Sequence, residues 1–205
     1  MGMIITREQE EYSPAEASDA TGVSTALQRD WRRRGIIGRA GPAGQHSRFT
    51  FDDLCEMMAL KSFSDAGLRI KRLTAASSEE PGQPRPLTKD DLFNAETAAH
   101  MCRLPMLHFA AEASASRWGG ATGPLVGTSP GHRIGRFVVV SGQQLYRVDS
   151  LAVLDEAPAE EIGPEPVKVI FDCKLAANRL IAALPRAPYR TRVHHRDDAS
   201  EDNHG

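Results

Sequence analysis

The chain has 205 residues, 25% charged and 40% hydrophobic, with a formal net charge of -2. These values are ordinary for a folded water-soluble protein and exclude a fibrous repeat, a coiled-coil rod and a wholly disordered chain. No apolar run approaches the ~20 residues that span a bilayer, and Met1 to Glu11 lacks the apolar core of a signal peptide.

The small net charge hides a pattern. Residues 28–48 hold six arginines (Arg29, Arg32, Arg33, Arg34, Arg39 and Arg48) against one acid, Asp30, whereas residues 149–165 hold six acids and no base. A basic segment inside a near-neutral chain points to a local anionic partner.

Residues 1–11 are polar and read as a mobile N-terminus. Ser13-Pro14-Ala15-Glu16 then opens a helix: Ser13 can cap, Pro14 needs no N–H there, and Glu16 can complete a capping box. Gly22-Val23 makes a tight turn, Ser24 offers a second cap, and a second helix is predicted over about Thr25 to Arg34, stopped by Gly35. On a 100° wheel Leu27 and Trp31 face inward, while Thr25, Gln28, Arg29, Arg32 and Arg33 face outward. Ile36-Ile37, a Gly-rich stretch from Gly38 to Ser47, and Arg48-Phe49 predict a small β wing.

Thr50 and Asp53 form a second capping box at the start of a third helix, with Phe51, Leu54, Cys55 and Met58 on one face. Gly67 ends it, and Leu68, Ile70 and Leu73 suggest a short fourth helix. Residues 77–87 read as a linker. Residues 88–117 are helical in composition, with Pro105 expected to kink or split the helix, and 118–131 form a second flexible joint. Residues 132–184 predict a β-β-β-α module. Arg136 to Val140 and Gln144 to Leu154 flank a Ser141-Gly142 turn; Val167 to Phe171 follows an acidic loop at 155–166, and Asp172 caps a helix from Cys173 to Leu184. Residues 185–205 have little to bury and read as a disordered tail. The fold expected is therefore α+β: an N-terminal winged helix-turn-helix unit over 12–76, a helical middle segment and a small C-terminal module.

Two capped helices joined by a glycine turn make a helix-turn-helix candidate. The second presents guanidiniums and an amide, the groups that pair with guanine and adenine edges, on a helix that fits the major groove. The candidate DNA-binding residues are Thr25, Gln28, Arg29, Arg32 and Arg33 on this helix, with Arg39 and Arg48 flanking the wing.

Several motifs occur in order: Tyr12-Ser13-Pro14, Gly22-Val23-Ser24, Arg29-Asp30-Trp31, Gly35-Ile36-Ile37, Arg48-Phe49-Thr50 with Asp53-Leu54, and Gly67-Leu68. With them, residues 12–73 resemble the DNA-binding domain of the MerR family of winged helix-turn-helix regulators. The resemblance implies a second helix in the major groove, a wing on the neighbouring backbone, Arg29 and Arg48 as groove or backbone contacts, and Trp31 in the core. It also implies a homodimer on a pseudo-palindromic site.

Asp30 stands where the family has an aromatic residue and can pair with a neighbouring arginine. The 77–87 linker and Pro105 fall where family members carry one long dimerisation helix. This departure keeps open a DNA-packaging or architectural adaptor, like the small winged domains of phage origin, with a protein partner docked on the C-terminal module. The apolar residues of 88–117 (Leu92, Phe93, Met101, Leu104, Met106, Leu107 and Phe109) make that segment the expected dimer interface.

The chain carries no Walker A loop, nucleophile elbow, His-Glu-x-x-His or dinucleotide fingerprint. No enzyme activity, cofactor or metal is expected. Cys55, Cys102 and Cys173 are scattered, without metal-ligand spacing, and His194-His195 lies in the tail. The expectation is a cytoplasmic, nucleoid-associated DNA-binding regulator with double-stranded DNA as its partner.

Overall fold

A computed structural model describes residues 2–37, 47–68, 70, 95–119, 134–141, 144–156 and 168–196. Among these the architecture is α+β: N-terminal helices, a long helix in the middle, and a small C-terminal sheet with its own helix.

The first helical unit is built as its caps dictate. Helix α1 (Pro14–Thr21) starts at a complete capping box. The Glu16 N–H donates to the Ser13 hydroxyl, and the Ser13 N–H donates to the Glu16 carboxylate at 2.7 Å. It stops at Gly22, whose φ of 72° is the left-handed conformation that a β-carbon disfavours. Helix α2 (Thr25–Arg33) is capped by Ser24 and closed by a Schellman turn: Ile36 donates to the Trp31 carbonyl and Gly35, at φ 69°, to that of Arg32. Helix α3 (Phe51–Asp65) opens on the Thr50–Asp53 box and buries Phe51, Leu54, Cys55, Met57, Ala59, Leu60 and Phe63. Met58, expected on the core face, is only half-buried.

Helix α4 (Ala95–Trp118) runs unbroken for 24 residues with Pro105 inside it. The expected split does not occur. Pro105 removes one backbone donor, but it is buried, and α4 packs along α3 and along the C-terminal helix α6 (Cys173–Ala183); that packing offsets the lost hydrogen bond. The apolar residues assigned to a dimer interface are largely used here within one chain. Met106 and Leu107 are buried, Met101 and Phe109 pack against the core, and Leu104 is 42% exposed. Leu92 and Phe93, the 77–87 linker and the acidic loop from residue 157 onward lie outside the described residues. So does most of the expected fourth helix, and Leu68 and Ile70 are not helical.

The C-terminal module closely follows its sequence pattern. Strands β4 (Phe137–Ser141), β5 (Gln144–Val148) and β6 (Lys168–Asp172) form an antiparallel sheet in the order β5-β4-β6. Asp172 caps helix α6 (Cys173–Ala183) by accepting from the Leu175 N–H, and it pairs with Arg136 at 2.6 Å. The β pattern read as far as Leu154 ends at Val148, and Ala152–Glu156 forms a short helix, α5.

This module does not stand apart. Val138, Val140 and Phe171 join the buried residues of α1, α3, α4 and α6 in a single hydrophobic cluster, and the Phe63 and Phe171 rings lie 5.4 Å apart. Arg117 of α4 donates to the Ile181 and Ala182 carbonyls at the end of α6, a C-terminal cap supplied from another helix.

The chain ends depart most from expectation. Residues 2–9, read as mobile, form strand β1 (Gly2–Gln9). It pairs antiparallel with strand β7 (Tyr189–Arg196), which lies in the segment read as disordered. Residues 197–205 lie outside the described residues. Strands β2 (Glu11–Tyr12) and β3 (Phe49–Thr50) also pair, so Phe49 meets Tyr12 and not the expected wing partner at Ile36-Ile37, which forms a bend.

Arg186 ties these ends to α1. Its guanidinium donates to the carboxylates of Glu10 and Glu16 and to the Glu11 carbonyl, and it sits 4.8 Å from the centre of the Tyr12 ring. The Tyr12 hydroxyl donates to the Arg186 carbonyl at 3.2 Å. The hydrogen bond from Arg186, aided by the one from the Ser13 N–H, holds the Glu16 carboxyl down to about 2 from an ordinary 4.5. A carboxyl depressed in the folded state stabilises the fold above its unfolded pKa, and that stabilisation is lost as pH falls through the folded value. Acid titration of stability, followed by circular dichroism, is therefore expected to show a loss between about pH 4.5 and 2. Glu16→Gln, which keeps a capping side chain, should flatten that limb. An unchanged acid limb would mean that Glu16 and Arg186 are not paired in solution.

Candidate nucleic-acid interface

The α1–turn–α2 unit presents one face of α2 toward solvent. Trp31 is 1% exposed and anchors the opposite face, as expected. Arg29 is exposed, Thr25 is half-buried at the helix start, and Arg33 is exposed with its side chain 2.7 Å from Asp30. Asp30 also pairs with Arg34 at 3.5 Å, and Arg34 reaches the Ile70 carbonyl. The acid in the unusual position thus neutralises two arginines in the free protein. Exposed ion pairs of this kind are weak, so a phosphate can displace Asp30 at small cost.

Arg32 is half-buried, its guanidinium 5.4 Å from the centre of the Phe49 ring. Arg48 is exposed. Arg39 and the tip of the expected wing, residues 38–46, lie outside the described residues.

One expected contact is corrected. Gln28 is 2% exposed, not outward-facing. Its side-chain amide donates to the Pro14 carbonyl at 3.0 Å and the Val23 carbonyl at 2.8 Å. It bolts the start of α1 and the turn to α2. The wheel misleads here because it describes an isolated helix, whereas α1 covers the flank of α2 that carries Gln28. A lone amide among arginines was the available signal: an uncharged donor suits a buried carbonyl.

A cleft of about 460 Å³ opens between the start of α1 and this face of α2, lined by Ser13, Pro14, Ala15, Thr25, Gln28, Arg29, Arg32, Ser47 and Phe49. Thr25, Arg29 and Arg32 therefore share one concavity. Ser13 to Ala15 and Ser47 join them and were not expected. The α1 capping box marks Ser13 to Ala15, since a helix N-terminus carries partial positive charge.

Residues 12–80 match the family model for the MerR HTH family regulatory protein. The match spans 69 of 205 residues and takes in α1, α2 and α3. No curated protein matches the chain. The segment is thus similar to the helix-turn-helix part of that family, which suggests a DNA-binding, regulatory role.

The cysteines are remote in sequence but meet in space. Cys55, Cys102 and Cys173 are buried and unpaired by disulfides. Burial, the largest effect, pushes the Cys55 and Cys102 thiols well up, the opposite of what a nucleophile or metal ligand needs. Among the described residues no group of three or more His, Cys, Asp or Glu is arranged to hold a metal, and no helix is long and apolar enough to cross a membrane.

Proposed function

We propose that the chain is a sequence-specific DNA-binding transcriptional regulator in which α2 enters the major groove. The observation that carries this reading is the exposed Arg29 in one concavity with Thr25 and Arg32, on a helix fixed by its Ser24 cap, Gly35 stop and Trp31 anchor. Residues early in such a helix reach base edges, and an arginine there offers paired donors to guanine. In this reading Thr25, Arg29 and Arg32 face the groove, while Arg33, Arg48 and Arg39 meet phosphates. Gln28 is not among the contacts. One such unit reads only a few base pairs, so the chain acts as a homodimer on a two-fold site, in the cytoplasm at the nucleoid. The C-terminal module serves a protein partner or effector.

Arg29→Ala is expected to weaken binding to a selected duplex by about 1–3 kcal/mol, roughly 5- to 150-fold, and to relax specificity at one base pair of each half-site. Arg32→Ala should do the same, with circular dichroism to show that losing the Phe49 contact leaves the fold intact. Titrations in which both variants match the wild type at fixed salt would remove α2 from the interface.

The second reading, a DNA-packaging or architectural adaptor, gains support from one observation: α4 spends its apolar face on α3 and α6. An adaptor would bind many duplexes with little preference, and a regulator few.

A further inference from the structure

We propose that strand β6 is the dimer interface: its open edge pairs antiparallel with the same edge of a second copy, joining the two C-terminal sheets into one. The inference rests on the reading of the chain as a homodimer and names the surface that makes it. Helix α4, the segment expected to carry the dimer, packs on α3 and α6 within one chain, so a two-fold assembly needs another surface.

The sheet order β5-β4-β6 leaves one edge of β6 without a strand beside it among the described residues. The groups on that edge follow from the ladder. Cys173 donates its N–H to the Arg136 carbonyl at 2.9 Å, in register with the pairs Phe137–Asp172 and Val138–Phe171. In an antiparallel ladder, residues that bond to the neighbour alternate with residues whose N–H and C=O point the other way. Phe171 and Val169 therefore bond to β4, while Lys168 and Ile170 aim both backbone groups at the open edge. Asp172 adds its N–H, because the carbonyl of a helix cap is taken by the helix.

The side chains alternate in the same rhythm. Val169 and Phe171 pack into the shared core, which puts Lys168, Ile170 and Asp172 on the other face. Ile170, at the centre of the strand, is 43% exposed. An exposed apolar residue in the middle of an unpaired edge is a pattern that monomeric proteins avoid, because such an edge recruits another strand.

The strand Lys168-Val169-Ile170-Phe171-Asp172 fits a copy of itself. Turned antiparallel about Ile170, it sets Ile170 against Ile170 of the second copy, Val169 against Phe171, and Lys168 against Asp172. Residues that aim at the edge then meet residues that aim at the edge, so the facing Ile170 backbones exchange both of their hydrogen bonds. An ammonium faces a carboxylate on each side of the two-fold axis. Arg136 and the Leu175 N–H already hold that carboxylate in place. Exposed charge pairs add little affinity; here they fix the register, since a slipped pairing sets Lys168 or Asp172 against Ile170. The opposite sheet edge lacks this symmetry: β5, Gln144-Leu145-Tyr146-Arg147-Val148, turned on itself, sets Leu145 against Arg147.

The test is sedimentation of the full chain without DNA over a range of concentrations. The wild type is expected to be a dimer. Ile170→Lys sets like charges against each other on the axis and should raise the dimer dissociation constant at least about tenfold. Far-UV circular dichroism and the denaturation midpoint should stay near wild type, because the side chain replaced is exposed. Ile170→Cys probes the same contact independently. Facing residues of a bonded antiparallel pair have α-carbons about 5.5 Å apart, within reach of a disulfide. Diamide, which takes up the electrons and protons of the thiols, should link this variant into a reducible dimer. It should not link the wild type, whose cysteines are 0% exposed. Leu175→Cys, at an exposed position off the axis, should link far more slowly.

A wild type that stays monomeric throughout would overturn the interface and the homodimer reading together. A dimer that Ile170→Lys leaves unchanged, or that Ile170→Cys links no faster than Leu175→Cys, would overturn the interface and leave the homodimer standing.

Discussion

Trp31→Ala is expected to destabilise the protein by about 3–5 kcal/mol, the range for deleting a buried aromatic side chain. Trp31 is 1% exposed and lies on the inner face of α2. Its carbonyl accepts the Ile36 N–H that closes the Schellman turn, so loss of the ring also loosens the stop that follows the helix. Total stabilities of about 5–15 kcal/mol leave little margin for such a change. Chemical denaturation should show an earlier midpoint, and DNA affinity should fall because the presenting face of α2 is no longer fixed. A midpoint within error of the wild type, together with wild-type tryptophan shielding, would place Trp31 outside the core and rotate α2.

The second large effect is expected from a fragment ending at residue 77, which should not fold cooperatively. The family match at 12–80 invites the view that this segment is free-standing. Its core argues otherwise. Phe51, Leu54, Met57, Leu60 and Phe63 of α3 are buried, and α3 packs against α4, against α6 and, through Phe63, against Phe171 of β6. All of these neighbours are absent from the fragment, as are Arg186 and strand β7. Chains of this size already bury a modest share of their surface, and stripping one side of α3 removes several residues worth about 1.5–3 kcal/mol each. The expected result is weak helical circular dichroism without a sharp thermal transition. A fragment that melts cooperatively and binds the same duplex as the full chain would show that the shared core is dispensable.

Local chemistry made the helix boundaries legible in the sequence. Ser13 with Glu16, Thr50 with Asp53, and Asp172 each sit where the structure begins a helix, and Gly22 and Gly35 sit where one ends. These signals act over three or four residues, so the sequence alone carries them. The hairpin β4–β5 and strand β6 were readable for the same reason, through runs such as Phe137-Val138-Val139-Val140.

What the sequence hid depends on partners far along the chain. Strand β1 is legible only beside β7, whose paired residues lie 180 or more positions away; each strand alone mixes polar and apolar residues without a clear period. Arg186 resembles any tail arginine until Glu10 and Glu16 surround it. Pro105 reads as a break because local rules omit the packing of α3 and α6 on either side of it. Gln28 reads as a DNA contact because a helical wheel has no neighbours. In the candidate site, Arg29, Arg32 and Thr25 could be found from spacing and charge. The cleft they line required α1 to be placed against them.

The most direct measurement is selection of duplexes from a random pool by the full chain, repeated with Arg29→Ala. The expected result is enrichment of a single motif with two inverted half-sites about one helical turn apart, and loss of preference at one base pair per half-site in the variant. A pool that stays random, or a motif enriched identically by wild type and Arg29→Ala, would contradict the assignment of α2 as the element that reads DNA.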